Sequence, residues 1–462
     1  MPSNDEAPKL YYTPVNEFAL EEAKTKILEV LNVALEAKII SKEEFTEMNP
    51  EGKDPAKFYC NYKVHKANSD NTVPPVRPII SGSGSITENI SICLDYHIKD
   101  LASKHSTYLQ DTPHFLRVID KINKGPKLQK NAMLVTADIT GAYLNIPHED
   151  GNNCLFETLE ERNYQTIPSS FLVKLLDLIQ KYNIFEFHDG QLWKQLMGVA
   201  MGIHPAPSLA NIYIAKRLDE AIKRLGYKHG EEGNSVFQIL KRFLDDLFQI
   251  FNGTTKQLHM IYKEINQIHP SLKLTMEHTS VENESEEDKC DCTFKTSIPY
   301  LDTMLSIENG KNETDLYKKP TDRNQYLLPS SCHPKTTTKA IPYSLSLRIV
   351  RICTKVESRD LRLRELKELL LSRQYPESLV DRSIERARKI PRKVALLKVR
   401  INKTEKQPIF AVKYDPRMPA LQPMLAKHYR SMISQDSHLK ECFPKPHLTA
   451  FKRQANIKKN PN

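Results

Sequence analysis

The stretch from Ile239 to Phe251 reads ILKRFLDDLFQIF, two apolar arms around Asp245-Asp246. Alternating arms with a polar tip predict a strand–turn–strand hairpin. Adjacent acids flanked by Arg242-Phe243-Leu244 and Leu247-Phe248 are unfavourable to bury unless a cation neutralises them. With no accompanying His or thiolate, hard oxygen ligands select Mg²⁺ or Mn²⁺ over zinc. From the acid pair alone a solvent-facing polar turn stays open; the apolar arms favour the metal. Upstream, Leu134-Val135-Thr136-Ala137-Asp138-Ile139 reads as a mostly buried strand that ends in a third carboxylate, 107 residues before Asp245. Two divalent ions about 3.5–4 Å apart can activate an attacking hydroxyl and stabilise the leaving oxygen of a phosphoryl transfer.

Between these acids lies a second constellation, MGVAMGIHPAPSLAN from Met197 to Asn211. The chain holds only 14 Gly, about half the usual ~7%. Gly198 and Gly202, four apart before a Pro-marked helix start, therefore suggest close backbone approach to a ligand, with an ordinary turn into a helix as the alternative. Further upstream, Phe58 to Lys66 (FYCNYKVHK) and Pro74 to Ile80 (PPVRPII) read as two short strands joined by a polar loop. Arg77 on the second, with Lys63 and Lys66 on the first, could clamp a triphosphate, and surface solvation is the alternative for each.

The remaining chain surrounds this centre with helices. Phe18 to Ala37 is amphipathic, Ser170 to Tyr182 is helical by pattern, and Pro205 and Pro207 open a helix to about Leu225. Asn309-Gly310 marks a second hairpin between Met304–Glu308 and Thr314–Tyr317. From Ser344 to Leu397 the pattern is basic and helical, with breaks at Pro376 and Pro391. A length of 462 residues, 39% of them hydrophobic, suits a globular protein of about three domain-sized units. The net charge of +10 hides a split: residues 1–310 carry 33 basic and 43 acidic side chains, and residues 311–462 carry 34 and 14. The last third is thus suited to a polyanion.

Eight Cys without an even framework of short spacings, and a start without a signal peptide, predict reduced thiols inside the cell. No apolar run reaches the ~20 residues of a membrane-spanning helix. Cys290 and Cys292 lie 39 residues or more ahead of Cys332-His333, and the spacing is against a structural zinc site.

The sequence resembles the reverse transcriptases. LVTADITGAYLNIP around Asp138, MGVAMGIHPAPSLAN and FLDD (Phe243 to Asp246) stand in the order and spacing of motifs A, B and C. FYCNYKVHK with PPVRPIIS, then HPSLKLTMEHTS, IPYLDTMLSIENG, LYKKPTDRNQYLLPSSCHPKTTTKAIPYSLSLRIVRICTK and the late FPKPHLTAFKRQANIKK narrow the resemblance to the reverse transcriptase of Penelope-like retroelements, across residues 50–459. It implies an α+β right-hand polymerase with fingers, a palm of antiparallel strands and a helical thumb. The implied segments are an N-terminal helical extension over 1–53, fingers over 54–130, a palm with interleaved fingers helices over 131–325, and a basic thumb and C-terminal region over 326–462.

The resemblance also implies roles. Asp138, Asp245 and Asp246 would be catalytic and hold two Mg²⁺, with Mn²⁺ as a possible substitute. Lys63, Arg77 and Gly202 would meet the incoming nucleotide, and Tyr143 would be the sugar gate that implies a DNA product. The partners would be an RNA template, a DNA primer or target DNA, and deoxynucleoside triphosphates, in the nucleus. The hairpin at Asn309-Gly310 is placed like a primer grip. Lys318, Lys319, Arg348 and Arg351, with Arg382, Arg386, Lys389, Arg392 and Lys393, would contact template–primer phosphates. Met201 stands where many reverse transcriptases have Gln, Ala206-Pro207 where relatives often have Ser-Pro, and Phe243-Leu244 where Tyr-Val is more usual. None of these removes a ligand. The family's GIY-YIG endonuclease has no counterpart in these residues, so cleavage of target DNA is not expected. The alternative reading is a decayed or domesticated polymerase fold that binds nucleic acid without catalysis. Telomerase, a further relative, would need an RNA-binding domain ahead of the fingers, where only about 50 residues stand.

Overall fold

The computed structural model describes residues 11–62, 74, 76–163, 166–187, 190–226, 236–269, 271–280, 285, 295–397, 408–445 and 447–452. The chain divides into two compact units, Met1–Asn312 and Glu313–Asn462.

In the first unit, β1 (Tyr12–Pro14) leads into α1 (Phe18–Glu36), which buries Ala23, Ile27, Leu31 and Ala34 at helical spacing. The helix α2 (Lys42–Met48) starts on a reciprocal cap in which Ser41 and Glu44 satisfy each other's backbone N–H. Next come the antiparallel strands β2 (Ala56–Tyr62) and β3 (Val76–Ser81), with Arg77 opposite Asn61. The helices α3 (Glu88–Lys104) and α4 (Thr112–Lys124) follow, α4 capped by Asp111, whose carboxylate accepts from His114 N at 2.7 Å. Then β4 (Ala132–Ile139), α5 (His148–Glu160), α6 (Ser169–Lys181), β5 (Ile184–Glu186) and β6 (Leu192–Gln195) lead to α7 (Ala206–Arg224). Most of α7 is buried all round. The unit continues with the hairpin β7 (Phe237–Phe243) and β8 (Asp246–Asn252), α8 (Thr255–Ile268), β9 (Leu274–His278), β10 (Ser297–Tyr300) and β11 (Thr303–Glu308).

The strands β10 and β11 belong to a separate three-stranded sheet, and two sheets organise the other strands. One runs β1-β6-β5-β2-β3. The other runs β7-β8-β4-β9, antiparallel throughout, as expected for a palm. It is covered on both faces over most of its length. Met133, Val135, Ala137, Leu247 and Phe251 join the large helical core, while Ala132, Leu134, Phe248 and Ile250 pack with Phe115, Ile298, Tyr300 and Leu305. The expected second hairpin is present, with Asn309 and Gly310 both at positive φ (51° and 75°) as a two-residue primed turn requires. Its second arm, β12 (Lys311–Leu316), starts three residues earlier than the sequence pattern suggests.

The second unit is mainly helical, with α9 (Lys335–Ile352), α10 (Val356–Ser372), α11 (Glu377–Arg388), α12 (Arg392–Ala395), α13 (Leu421–Gln435) and α14 (Ser437–Cys442). Pro376 and Pro391 do stand at helix starts, as N-caps of α11 and α12. The helix α9 begins nine residues before Ser344 and continues through Pro342, although a proline inside a helix normally argues for a break. The C-terminal region also pairs β13 (Ile409–Lys413) with β14 (Leu448–Lys452) in parallel, a strand pair the basic helical pattern did not predict. Together the fold is the α+β right-hand polymerase. No helix among the described residues is long and apolar enough to cross a membrane.

Candidate active site

Asp138 owes its position to where the cover over its sheet ends. On β4 the residues Ala132 and Leu134 face the smaller core, and Asp138, on the same face by strand alternation, lies beyond that core and is exposed. On β8 the same face carries Ile250, Phe248 and then Asp246. Asp138 and Asp246 are direct cross-strand partners, so their side chains stand side by side on one face. Tyr300, 3% exposed, donates its hydroxyl to the Asp246 carbonyl at 3.1 Å and holds the start of β8.

Asp245 occupies the two-residue tip between Phe243 and Asp246, preceded by Leu244 at a left-handed φ of 55°. Ile139 N donates to the Asp245 carbonyl at 3.2 Å, which ties the tip to the end of β4. Behind the tip, Arg242 points to the opposite face of the sheet and is completely buried. Its guanidinium donates to Leu244 O at 2.8 Å, to Asn211 Oδ1 at 2.7 Å and to Asn211 O at 2.9 Å. Burial pulls the Arg242 guanidinium down to about 10, with Tyr300, Asp219, Asp245 and Tyr143 opposing; it stays charged at neutral pH.

Tyr143 lies half-buried in the turn that follows β4. Burial first, and then the Asp245 carboxylate, push its phenol up to about 12, while Arg242 and Arg77 act in the other direction. The segments bearing Asp138, Arg77 and Asp245, far apart in sequence, thus meet around one tyrosine. The loop before α7 fixes this meeting through its backbone. Val199 N donates to Tyr143 O at 2.7 Å, Ile80 N donates to Met201 O at 2.9 Å, and Gly82 N donates to Gly202 O at 3.1 Å. Gly202 has φ 128°, and a Cβ there would stand 2.4 Å from Ile80 O. The close approach expected of Gly202 is therefore to β3, the strand that carries the exposed Arg77.

Residues 76–301 match the family described as reverse transcriptase (RNA-dependent DNA polymerase), and residues 325–385 match the animal helix-turn-helix domain. Residues 76–301 are a reverse-transcriptase domain. The matched family is described as RNA-dependent DNA polymerases. Among solved structures, the fold is similar to telomerase from Candida albicans in complex with a telomeric RNA fragment (9% identity, 80% of this chain and 62% of that one, TM-score 0.50). Apo telomerase from Candida tropicalis (12%, 82% and 65%, TM-score 0.44) and the BmCPV RNA-dependent RNA polymerase (14%, 72% and 28%, TM-score 0.41) are also similar. The chain spans less than two thirds of each of these chains. No curated protein matches it.

Reverse transcriptases use divalent metal ions, and the reverse-transcriptase domain offers them oxygen donors. Two carboxylates directly opposite on adjacent strands repel each other without a cation, and the donors are the hard oxygens that Mg²⁺ and Mn²⁺ prefer. Among the described residues no three acidic, His or Cys side chains are gathered as a metal site. Of the three carboxylates expected from sequence, Asp138 and Asp246 face each other across the strands, and Asp245 stands next to Asp246 in the tip.

Lys63 lies outside the described residues, as do Lys66, Cys290 and Cys292. Cys332 is exposed, and His333 Nδ1 is 3.1 Å from Ser331 Oγ. In the second unit the cations expected on nucleic acid are partly engaged internally. Arg351 donates from Nε to Ala395 O at 2.8 Å, Lys318 pairs with Glu365 at 3.5 Å, and Arg386 lies 4.3 Å over the Tyr343 ring. Lys319 is exposed, and Arg348 is half-buried. Sequence reasoning quoted Arg242 and Asn211 but gave them no role, and passed over Tyr300. The signal for Arg242 was a cation, next to Lys241, inside a largely apolar strand arm beside the acids.

Proposed function

We propose that the chain is the reverse transcriptase of a Penelope-like retroelement, extending a primer 3′-hydroxyl with deoxynucleoside triphosphates on an RNA template in the nucleus. The observation that carries the chemistry is the facing pair of Asp138 and Asp246 at the uncovered end of the palm sheet, with Tyr143 and Arg77 close by. The motif series that runs from Phe58 to the late FPKPHLTAFKRQANIKK supports the retroelement lineage.

Asp138 and Asp246, with Asp245, would hold the divalent ions. Those ions, when bound, polarise the primer hydroxyl and carry charge on the departing pyrophosphate. Arg77 supplies a fixed cation for the triphosphate from the exposed face of β3. The Tyr143 ring, held from behind by its carbonyl bond to Val199, occupies the space a ribose 2′-hydroxyl would need. Its phenol stays protonated at physiological pH and adds no charge beside the acids. The helices of the second unit supply the basic surface for template–primer, a thumb in the polymerase plan.

Primer extension on an RNA template with Mg²⁺ tests this reading. The wild-type chain should extend the primer, and Asp245→Asn should reduce extension about a thousandfold while template–primer affinity stays within about twofold. A wild-type chain that binds template–primer and extends none would make it a nucleic-acid-binding derivative of the polymerase fold instead.

A further inference from the structure

The tip that carries Asp245 is built in a way that a simple chain reversal does not require. Leu244, a branched residue, adopts a left-handed backbone conformation that disfavours side chains. Behind it a guanidinium is fully desolvated, and its Nε finds no partner among the described residues. Burying a cation there is unfavourable unless its bonds do something an apolar side chain could not.

Those bonds run in one line. Asn211 Nδ2 donates to Pro207 O at 3.0 Å, which locks the Asn211 amide against the first turn of α7. Asn211 Oδ1 and O then accept from Arg242, and Arg242 in turn donates to Leu244 O. Arg242 itself is held in the sheet by backbone bonds from its N to Thr107 O (2.7 Å) and from Leu109 N to its O (2.8 Å). The start of α7 is the end of the loop that docks on β3 through Met201 and Gly202. The carbonyl of Leu244 is thereby referenced to the same segment that positions Tyr143 and β3.

We propose that Arg242 and Asn211 are a positioning clamp that sets the turn at Leu244, and with it the stance of Asp245 and Asp246 toward the divalent ions. This deepens the proposed function and rests on it for its catalytic consequence. Arg242 touches neither substrate nor ion in this arrangement; it acts through the turn. The planar fork of arginine suits the task, because one rigid group reaches the turn carbonyl and two acceptors of α7 at once. Lysine keeps the charge and loses the fork.

The test uses the full chain and the variants Asn211→Ala, Asn211→Asp and Arg242→Lys. Hydrogen exchange is followed in the peptide covering residues 243–247, alongside steady-state primer extension with a Mg²⁺ titration. Asn211→Ala and Arg242→Lys should make the turn amides exchange about tenfold faster, with α7 and β4 as protected as in the wild type. In the same variants kcat should fall about tenfold to a hundredfold, while the KM for deoxynucleotide changes little and more Mg²⁺ is needed for half-maximal rate. Asn211→Asp, which keeps an acceptor in place, should restore both readouts. Wild-type exchange at the turn in Asn211→Ala overturns the clamp, and so does a loss of protection spread evenly over the domain, which would mark a purely structural role. If the wild-type chain extends no primer, the polymerase reading fails, and the exchange data alone still decide whether the clamp holds the turn. Should Arg242→Lys not fold, the two Asn211 variants carry the same decision.

Discussion

The first unit and the second treat charge in opposite ways. In the first, the few charges that matter are placed by buried neighbours: Asp138 by the end of a covered sheet, Asp246 by its register and Tyr300, the tip by Arg242. In the second, cations are spread over helices, and several are held by acceptors in the same unit, as Arg351 is by Ala395 O and Arg362 by Asp315. A site that must hold ions and a hydroxyl to a fraction of an ångström needs rigid support. A surface that grips a phosphate backbone needs summed charge, and tolerates the loss of any one member. Substitutions in the first unit should therefore act nearly all-or-none, and those in the second should act by degrees.

The sharpest way to break this contrast is at Gly202. Ala there would place a Cβ 2.4 Å from Ile80 O at a φ of 128°, so both the close contact and the backbone conformation oppose it. Relief requires β3 and the loop before α7 to separate, which moves Arg77 away from Tyr143. Gly202→Ala should cost about 3 kcal/mol of stability or more and, where the protein still folds, about a hundredfold in extension rate. Thermal unfolding and primer extension check it. Wild-type values in both would mean that the first unit is as tolerant as the second.

How much of this was legible in the sequence follows from which forces act locally. The hairpin from Ile239 to Phe251 was readable because alternation and a polar tip are local signals, and the strand ending at Asp138 was readable as an apolar run. The register that sets Asp138 opposite Asp246 was not, since it depends on pairing across more than a hundred residues. Arg242 received no role from the sequence, because its burial depends on α7 and residues 107–109 packing over it. Gly198 and Gly202 read as a close backbone approach to a ligand; what Gly202 approaches in the fold is the backbone of β3. The start of α9 lies nine residues before Ser344, where the basic helical pattern predicts it to begin, and the helix runs through Pro342 and buries it.

Tyr143 gives an intermediate effect, because it shapes selection and leaves the acids in place. Tyr143→Ala should raise ribonucleotide incorporation relative to deoxyribonucleotide by about tenfold to a hundredfold, read from extension with mixed triphosphates. Discrimination should not change between pH 6 and pH 9 in the wild type, since the phenol is pushed up to about 12 and stays neutral throughout. Unchanged sugar selection in the variant would remove the gate from Tyr143 and leave the first unit's precision to the acids alone.

The smallest effects belong to the second unit, and two of its cations make opposite predictions. Lys319 is exposed, so its charge is available to a phosphate; Lys319→Ala should reduce the slope of log affinity against log salt by about 1 and leave melting unchanged. Arg351 donates to Ala395 O and, through its own carbonyl, accepts from Arg392 Nε at 2.9 Å, which ties α9 to α12. Losing its guanidinium should cost about 1 kcal/mol of stability and alter the salt slope little. Binding of template–primer to the full chain across a salt series, with melting curves of the same variants, separates the two. If Arg351→Ala flattened the salt dependence and Lys319→Ala did not, the internally held cations would be the ones that grip the polyanion. The division between charges that build the second unit and charges that work at its surface would then be reversed.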